Sequence, residues 1–553
     1  MPRSLEARLV GGVFGLLLWA WTATAQGGGD VWVFLRDKPD GSGGRIEWGP
    51  EPGKEALALP VDPAYLDFLE HHGGRVRVVS RWLNAVSLHL TADQLRTVES
   101  AAMVKAVQPV ARLRAARPVA RAPGPRLAPK AAQDAEFGRS FEQLAQVGLT
   151  RLHQAGYRGE GVRIAVLDNG FHLGGHEVFA EMNVVARRDF INGDDVVEDE
   201  DGQPVTGDES LSRQNIHGAQ VLAVLGGNAA GQYVGAAPKA EFLLAKTENN
   251  GSELPVEEDL WVAGLEWADS LGARVINSSL GYNTFDDGSG YTQEDLDGRT
   301  AVTSRAAAAA VTRGMVLVVA AGNEGSLPWG RVTVPADAAG LISVGAVDRF
   351  RVVASTSSRG PTADGRVKPE VVAPGVDVWT AQVRGGGYAR LDGTSFSAPL
   401  VSGVCALLLQ MNPEWGPAEV LEALQGTATD LGPVGPDNEY GWGQVDAWRA
   451  AGFDRGEVAA DRAQAPFPNP AAGAVFFPLS LTQRGAVELR VYDIGGGLVH
   501  VAEPRLFEAG DHRRPERALR WVPSGDLAAG VYFYELRAAT FRTRGKIALV
   551  RGG

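Results

Sequence analysis

Four residues in separate stretches of the chain have the types and settings of an acyl-transfer centre. Ser395 lies in Gly393-Thr394-Ser395-Phe396-Ser397-Ala398-Pro399, a small-residue loop that opens into the apolar run 400–411. Gly393 lets the backbone turn tightly. The serine then falls at or near a helix N-terminus, where unpaired N–H groups and a partial positive charge favour an oxyanion. Pro399 is tolerated in a first turn, where N–H groups have no helical partner. A serine nucleophile needs a base, and the base needs an orienting carboxylate. Asp168 ends the apolar run 162–167. His217 sits in Asn215-Ile216-His217-Gly218-Ala219-Gln220-Val221, at a helix start, and Asn323 ends the apolar run 315–321. Each stretch alone also reads as ordinary structure, the serine loop as a plain helix cap. Together they supply nucleophile, base, carboxylate and amide donor.

The elements that must position these groups are legible as alternating patterns. From residue 137 onward, strands are predicted at 162–167, 242–245, 275–278, 315–320, 342–347 and 371–372. Helices are predicted at 216–225, 256–271, 301–313, 397–411 and 417–428. This is the alternation of an α/β fold with a doubly wound, mostly parallel sheet, whose ligand sites lie at the carboxyl ends of strands. Asp168 and Asn323 sit at such ends, and His217 and Ser395 at helix starts. Pattern and motif point to one cleft.

The chain order Asp168, His217, Asn323, Ser395, with Asp168-Asn169-Gly170, Ala321-Gly322-Asn323-Glu324-Gly325 and the Gly393–Pro399 loop, resembles the subtilisin-like serine proteases, the subtilase family. The resemblance runs from about Arg139 to Gly452. It implies a secreted bacterial endopeptidase acting on protein or peptide substrates, with no cofactor in the chemistry. Ser395 would be the nucleophile, His217 the base and Asp168 its orienting carboxylate. Asn323 and the Ser395 N–H would hold the oxyanion. Ser279, Leu280 and Gly281, following a buried strand, would present backbone to an extended substrate. Two positions depart from the family pattern. Ala219-Gln220 stands where His-Gly is usually followed by Thr-His, and Phe396 stands where methionine commonly follows the serine. These departures keep open a rival, a catalytically impaired relative acting as a surface or binding protein. An α/β-hydrolase esterase is excluded, because it needs a Gly-x-Ser-x-Gly elbow and the order Ser, Asp, His.

At 553 residues, 44% hydrophobic and 22% charged, the chain holds several domains and has ample material for cores. A net charge of −13 argues against nucleic acid as a partner. Cys405 is the only cysteine, so no intrachain disulfide forms, and its apolar surroundings predict a buried, inert thiol. Arg3 and Arg8 precede the apolar segment 9–20, and Ala23-Thr24-Ala25 follows. Residues 1–25 therefore read as a secretory signal peptide, placing the protein outside the cell or at its surface. No later segment is expected to be long and apolar enough to span a bilayer.

Residues 26–110 read β-α-β-β-α-β, the ferredoxin-like order, with a capping box opening the second helix at Thr91-Ala92-Asp93-Gln94. The unit resembles the inhibitory propeptide that precedes many subtilases, which makes it an inhibitor of its own enzyme. Residues 111–136 carry Arg112, Arg114, Arg117, Arg121 and Arg126 among prolines and alanines, and read as an exposed, processed linker. The catalytic domain is expected over 137–455. Residues 464–553 hold alternating strands at 486–493, 530–536 and 546–550 and read as a small antiparallel β-sandwich. It resembles C-terminal sorting domains of bacterial secreted proteins, which implies the secretion machinery as a partner; an accessory adhesion module is the rival. The acidic stretch 194–202 is open to two readings, a structural calcium site or a solvated loop, and lacks EF-hand spacing. His172 and His176 read as loop residues.

Overall fold

A computed structural model describes residues 29–110, 119–120, 134–200, 216–248, 256–283, 290–383, 385–453, 462–463, 466–471, 473–507, 510–512, 518–524 and 527–550. The signal segment 1–25 and most of the 111–136 linker lie outside the described residues.

Seven parallel strands organise the central domain: Arg163–Asp168, Asn183–Asp189, Glu241–Lys246, Val275–Ser278, Val316–Ala320, Ile342–Val347 and Val371–Pro374. Their spatial order is 371–374, 342–347, 316–320, 275–278, 163–168, 241–246, 183–189. From the 163–168 strand, the next two strands are laid to one side and the last four to the other. The direction of winding therefore reverses between 163–168 and 275–278. Connections leave in opposite directions there, opening a crevice at the strand ends. The inner strands are buried on both faces, which explains their unbroken apolar runs. The edge strand Asn183–Asp189 escaped the sequence reading because its exposed face mixes Asn183, Val185 and Arg187 and the strand carries no unbroken apolar run.

Helices cover both faces. Ile216–Gly226 and Thr394–Met411 share one core with Ile164, Val166, Phe242 and Leu244. Val256–Ser270 and Val302–Arg313 share the other with Ala165, Leu167, Leu243 and Ile276. The alternation of Ile164 and Val166 against Ala165 and Leu167 is the two-residue period of a strand. Each of the larger of these side chains contributes roughly 1.5–3 kcal/mol by leaving water. The serine helix begins at Thr394, three residues earlier than expected, so Pro399 lies inside it rather than in its first turn. By length and composition this helix could cross a bilayer, contrary to expectation. It is the core helix instead, with 89% of its apolar window buried. Cys405 lies in it, fully buried, and burial pushes its thiol well above the usual range.

Residues 29–110 form a four-stranded antiparallel sheet in the order Arg75–Ser80, Ala85–Leu90, Gly29–Leu35, Val104–Pro109, with Pro63–His71 and Ala92–Glu99 on one face. This is the ferredoxin-like arrangement, and the Thr91–Gln94 capping box is formed. A hairpin, Asp37–Pro39 with Arg45–Glu47, and a short helix, Lys54–Ala58, interrupt the pattern before the first long helix. Val31, Val33 and Leu35 face the unit's own core. Trp32 and Phe34, from the other face, join Trp82 and Leu83 in packing on the 256–270 and 302–313 helices. Polar contacts frame this seam. Arg77 bonds Asp259 and lies 2.5 Å from Asp30; Ser80 Oγ donates to Glu266 at 2.6 Å; Arg81 reaches Asp269 at 3.3 Å.

The C-terminal unit is an antiparallel β domain around Val475, Phe477, Leu489, Val491, Trp521, Leu536 and Ile547. Gly485–Tyr492, Gly530–Arg537 and Arg542–Leu549 are its long strands. Short strands such as Val475–Phe477 and Leu519–Trp521 complete it, too brief to show an alternating pattern in the sequence.

Candidate active site

Asp168 is the last residue of its strand and has no exposed surface. Its Oδ1 accepts hydrogen bonds from the Asn169 N–H at 2.8 Å and from His217 Nδ1–H at 2.7 Å. His217 is the second residue of the 216–226 helix. That helix start comes close to the strand end because residue 218 is glycine. A Cβ there would lie 2.9 Å from the Asp168 Cβ and would also collide with the Gly170 carbonyl. The Gly218 N–H donates to Asn169 Oδ1 at 3.0 Å, tying the two segments together. With Nδ1–H given to Asp168, Nε2 carries the lone pair. It is buried and has no hydrogen-bond partner. The Phe396 ring lies 6.1 Å from the imidazole, centroid to centroid. Ala219 is fully buried, and the Gln220 carbonyl accepts from Thr380 Oγ at 2.6 Å. Neither departure from the family pattern takes a hydrogen bond from His217.

Ser395 is the second residue of the 394–411 helix, entered through Gly393 at φ +147°, a conformation side chains rarely allow. Its Oγ donates to the Ser279 carbonyl at 3.2 Å. Pro399 has no N–H to bond the carbonyl four residues earlier, that of Ser395. Ser279 Oγ takes that place and donates to the Ser395 carbonyl at 2.9 Å. The Asn323 Oδ1 accepts from the Thr394 N–H at 2.9 Å and from Thr394 Oγ at 3.2 Å. The amide oxygen is thereby committed, and its NH2 is the end left to donate.

Of the three backbone-presenting residues, Ser279 meets Ser395 directly. Leu280 turns into the core shared with the 256–270 helix. Gly281 is small because a Cβ there would strike the Thr333 hydroxyl. Asp168 and Ser279 stand at the ends of the two strands that flank the winding reversal, so the crevice predicted by topology is the one the serine faces.

Sequence reasoning missed Asn169 and Thr394, the polar residues that brace the site. Each is the immediate neighbour of a candidate residue, and that adjacency was the available signal. It also missed the hairpin Val378–Ala381 and Tyr388–Asp392 that feeds Gly393. In the acidic stretch, carboxylate oxygens of Asp189, Asp194 and Glu200 lie within 4.8 Å of one another. The buried Lys246 ammonium sits 2.7 Å from Asp189 and already balances that charge. His172 bonds Glu198 at 3.0 Å and His176 bonds the Gly387 carbonyl at 2.6 Å, so each has a separate local partner.

A carboxylate-held imidazole and a helix-start serine at the switch point of a doubly wound sheet have the layout of a serine hydrolase. The chain belongs to the subtilase family: residues 159–443 match it, and residues 55–122 match the peptidase S8 propeptide domain of Bacteroidota. It is 32% identical to subtilisin Savinase of Lederbergia lenta over 307 residues, 55% of this chain and 96% of that protein. It is 32% identical to subtilisin E of Bacillus subtilis strain 168 over 404 residues, 72% of this chain and 88% of that one. Among solved structures, fervidolysin from Fervidobacterium pennivorans, a keratinolytic enzyme related to subtilisin, superposes with a TM-score of 0.56 at 21% identity. That match covers 92% of this chain and 70% of the other, and is a likeness of fold. The protein is thus a subtilisin-like serine endopeptidase made with a propeptide domain.

Proposed function

We propose that the chain is the precursor of a secreted endopeptidase whose chemistry is carried by Asp168, His217, Ser395 and Asn323. The observation that carries this reading is the 2.7 Å bond from His217 Nδ1–H to Asp168, with Nε2 left buried and unpartnered. Ser395 Oγ leaves the Ser279 carbonyl, gives its proton to Nε2 and bonds the substrate carbonyl carbon. The carbonyl oxygen becomes an oxyanion held by the Asn323 NH2 and the Ser395 N–H. His217 then protonates the departing amine as the C–N bond breaks. Water repeats the sequence on the acyl ester, with His217 again as base, and restores Ser395. Asp168 orients the imidazole and stabilises its charged form. The family's chemistry needs no cofactor. A structural calcium would have the carboxylates of Asp189, Asp194 and Glu200 as its candidate ligands, with Lys246 already beside Asp189.

Residues 1–25 would direct export, 26–110 act as the inhibitory propeptide, and 111–136 be cut to release a catalytic domain over 137–455. Residues 464–553 would serve as a sorting domain for the secretion machinery; a core of their own supports a separate role. A catalytically impaired relative is not favoured, because Ala219 and Gln220 do not engage His217. Fluorophosphonate labelling tests the reading: the wild-type chain is modified at Ser395 and Ser395→Ala is not. Labelling at any other residue would overturn it.

A further inference from the structure

The Tyr388–Asp392 strand leads through Gly393 to Ser395, and its free side takes on a further strand. Val119–Ala120 pair with it antiparallel, Val119 opposite Asp392 and Ala120 opposite Leu391. A segment of the protein's own chain thus lies extended three residues along the strand from the serine. Beside it runs a cleft of about 630 Å³, lined among others by Asn323, Glu324, Leu327, Asp348, Val352 and Asp392.

The strand order decides which half of a substrate this cleft meets. Strands 275–278, 316–320 and 342–347 are neighbours, so their ends set Ser279, Asn323 and Asp348 in a row. Ser279 belongs to the segment that the family resemblance sets against an extended substrate, and the protease reading puts that segment beside the acyl half. The cleft lies beyond Asn323, on the opposite side of the reacting carbonyl, where the departing amine half must go.

The cleft has a marked charge. Among the described residues, Glu324, Asp348 and Asp392 form no ion pair. Asp348 accepts the N–H groups of Phe350 and Val352 at 2.8 and 2.9 Å, and Asp392 that of Asp377 at 2.8 Å. Two cations of neighbouring segments lie over rings, Arg349 over Phe350 and Arg390 over Trp379. Carboxylates in a concave wall concentrate negative potential. Leu327 and Val352, half exposed, offer apolar surface for the methylene stem of a long basic side chain. In the sequence, the segment seated at the rim is flanked by Arg117 and Arg121.

We propose that this cleft is a leaving-side subsite that selects substrates carrying Lys or Arg within the first three residues after the cut. The proposal rests on the protease reading above. Internally quenched peptides, identical except for Arg, Ala or Glu at the second residue after the cut, test it on the mature enzyme. We expect kcat/KM for Arg over Glu of about tenfold or more, falling as salt is raised. In Asp348→Asn/Asp392→Asn the ratio should drop to within about threefold, the amides keeping the backbone hydrogen bonds. Leu327→Lys, on an exposed wall, should lower the ratio independently. A wild-type ratio near one, or an unchanged ratio in both variants, overturns the subsite. Fluorophosphonate labelling in parallel separates the two readings, since wild-type enzyme that neither labels nor cuts any peptide counts against the protease assignment itself.

Discussion

Ser279 and Ser395 exchange hydrogen bonds: the hydroxyl of each donates to the carbonyl of the other, at 2.9 and 3.2 Å. One of these bonds repairs the gap that Pro399 leaves in the helix. The other parks the serine hydroxyl away from the imidazole. Ser279→Ala should strand the buried Ser395 carbonyl at a cost of about 1–3 kcal/mol, the usual penalty for an unmet buried acceptor. Thermal unfolding should register that loss while kcat falls less than tenfold. A kcat collapse with unchanged stability would make Ser279 part of the chemistry.

Ser395→Ala removes one oxygen from a packed helix start and should leave the fold intact. Casein hydrolysis should vanish, and the purified chain should retain residues 26–110, visible as an undivided band on a denaturing gel. Wild-type turnover in this variant would move the nucleophile elsewhere.

Asn323→Ala should lower kcat by roughly 10²–10³ with little change in KM. The magnitude is carried over from subtilisin, where loss of the oxyanion-binding amide costs that much. An effect mainly on KM would place Asn323 in ground-state binding instead.

The grip of the propeptide should depend on pH in a stated direction. Burial beneath the 29–110 sheet pushes the Asp259 carboxyl up to about 6, although Arg77 pulls it down. On the released enzyme the same carboxyl returns to the ordinary range near 3.9. The bound form therefore holds the proton more tightly. Association is strongest in acid and weakens as pH rises through about 6, by an amount on the order of tenfold, within the roughly hundredfold that two units allow. Calorimetric titration of residues 26–110 into Ser395→Ala catalytic domain at pH 5 and pH 8 measures this. Tighter binding at pH 8, or the same slope in Asp259→Asn, would sink it.

Deleting residues 464–553 should leave kcat/KM within about twofold, because the unit's core is its own and none of its described residues braces the site. Peptide kinetics on the shortened chain decide the matter; a large loss would join the unit to substrate binding.

Much of the candidate site's layout was legible because its residues sit where simple patterns end. Asp168 and Asn323 close apolar runs, and those runs are strands because both their faces are buried. What was not legible depends on contacts between distant segments. Pro399 looks like a first-turn residue until Ser279 is known to satisfy the carbonyl it orphans. The 183–189 strand mixes Asn183, Val185 and Arg187 on its open face, so no apolar run marks it. The 378–392 hairpin reads as loop because the glycines at its turn dominate the local sequence. Arg77 and Asp259 are 182 residues apart, and nothing in either stretch announces the other.

Trp32, Phe34 and Trp82, with Trp48, Leu57, Val78, Leu83, Ala85 and Val110, complete a core whose other members belong to the catalytic domain. If processing removes them, the mature enzyme keeps only its own share of that core. Heat or denaturant then acts on a molecule that has lost the contacts its precursor had. Its persistence becomes a matter of the height of the unfolding barrier rather than of equilibrium. For such a protein, the half-life at a given temperature is the meaningful measure of durability, and a melting midpoint is a property of the heating rate.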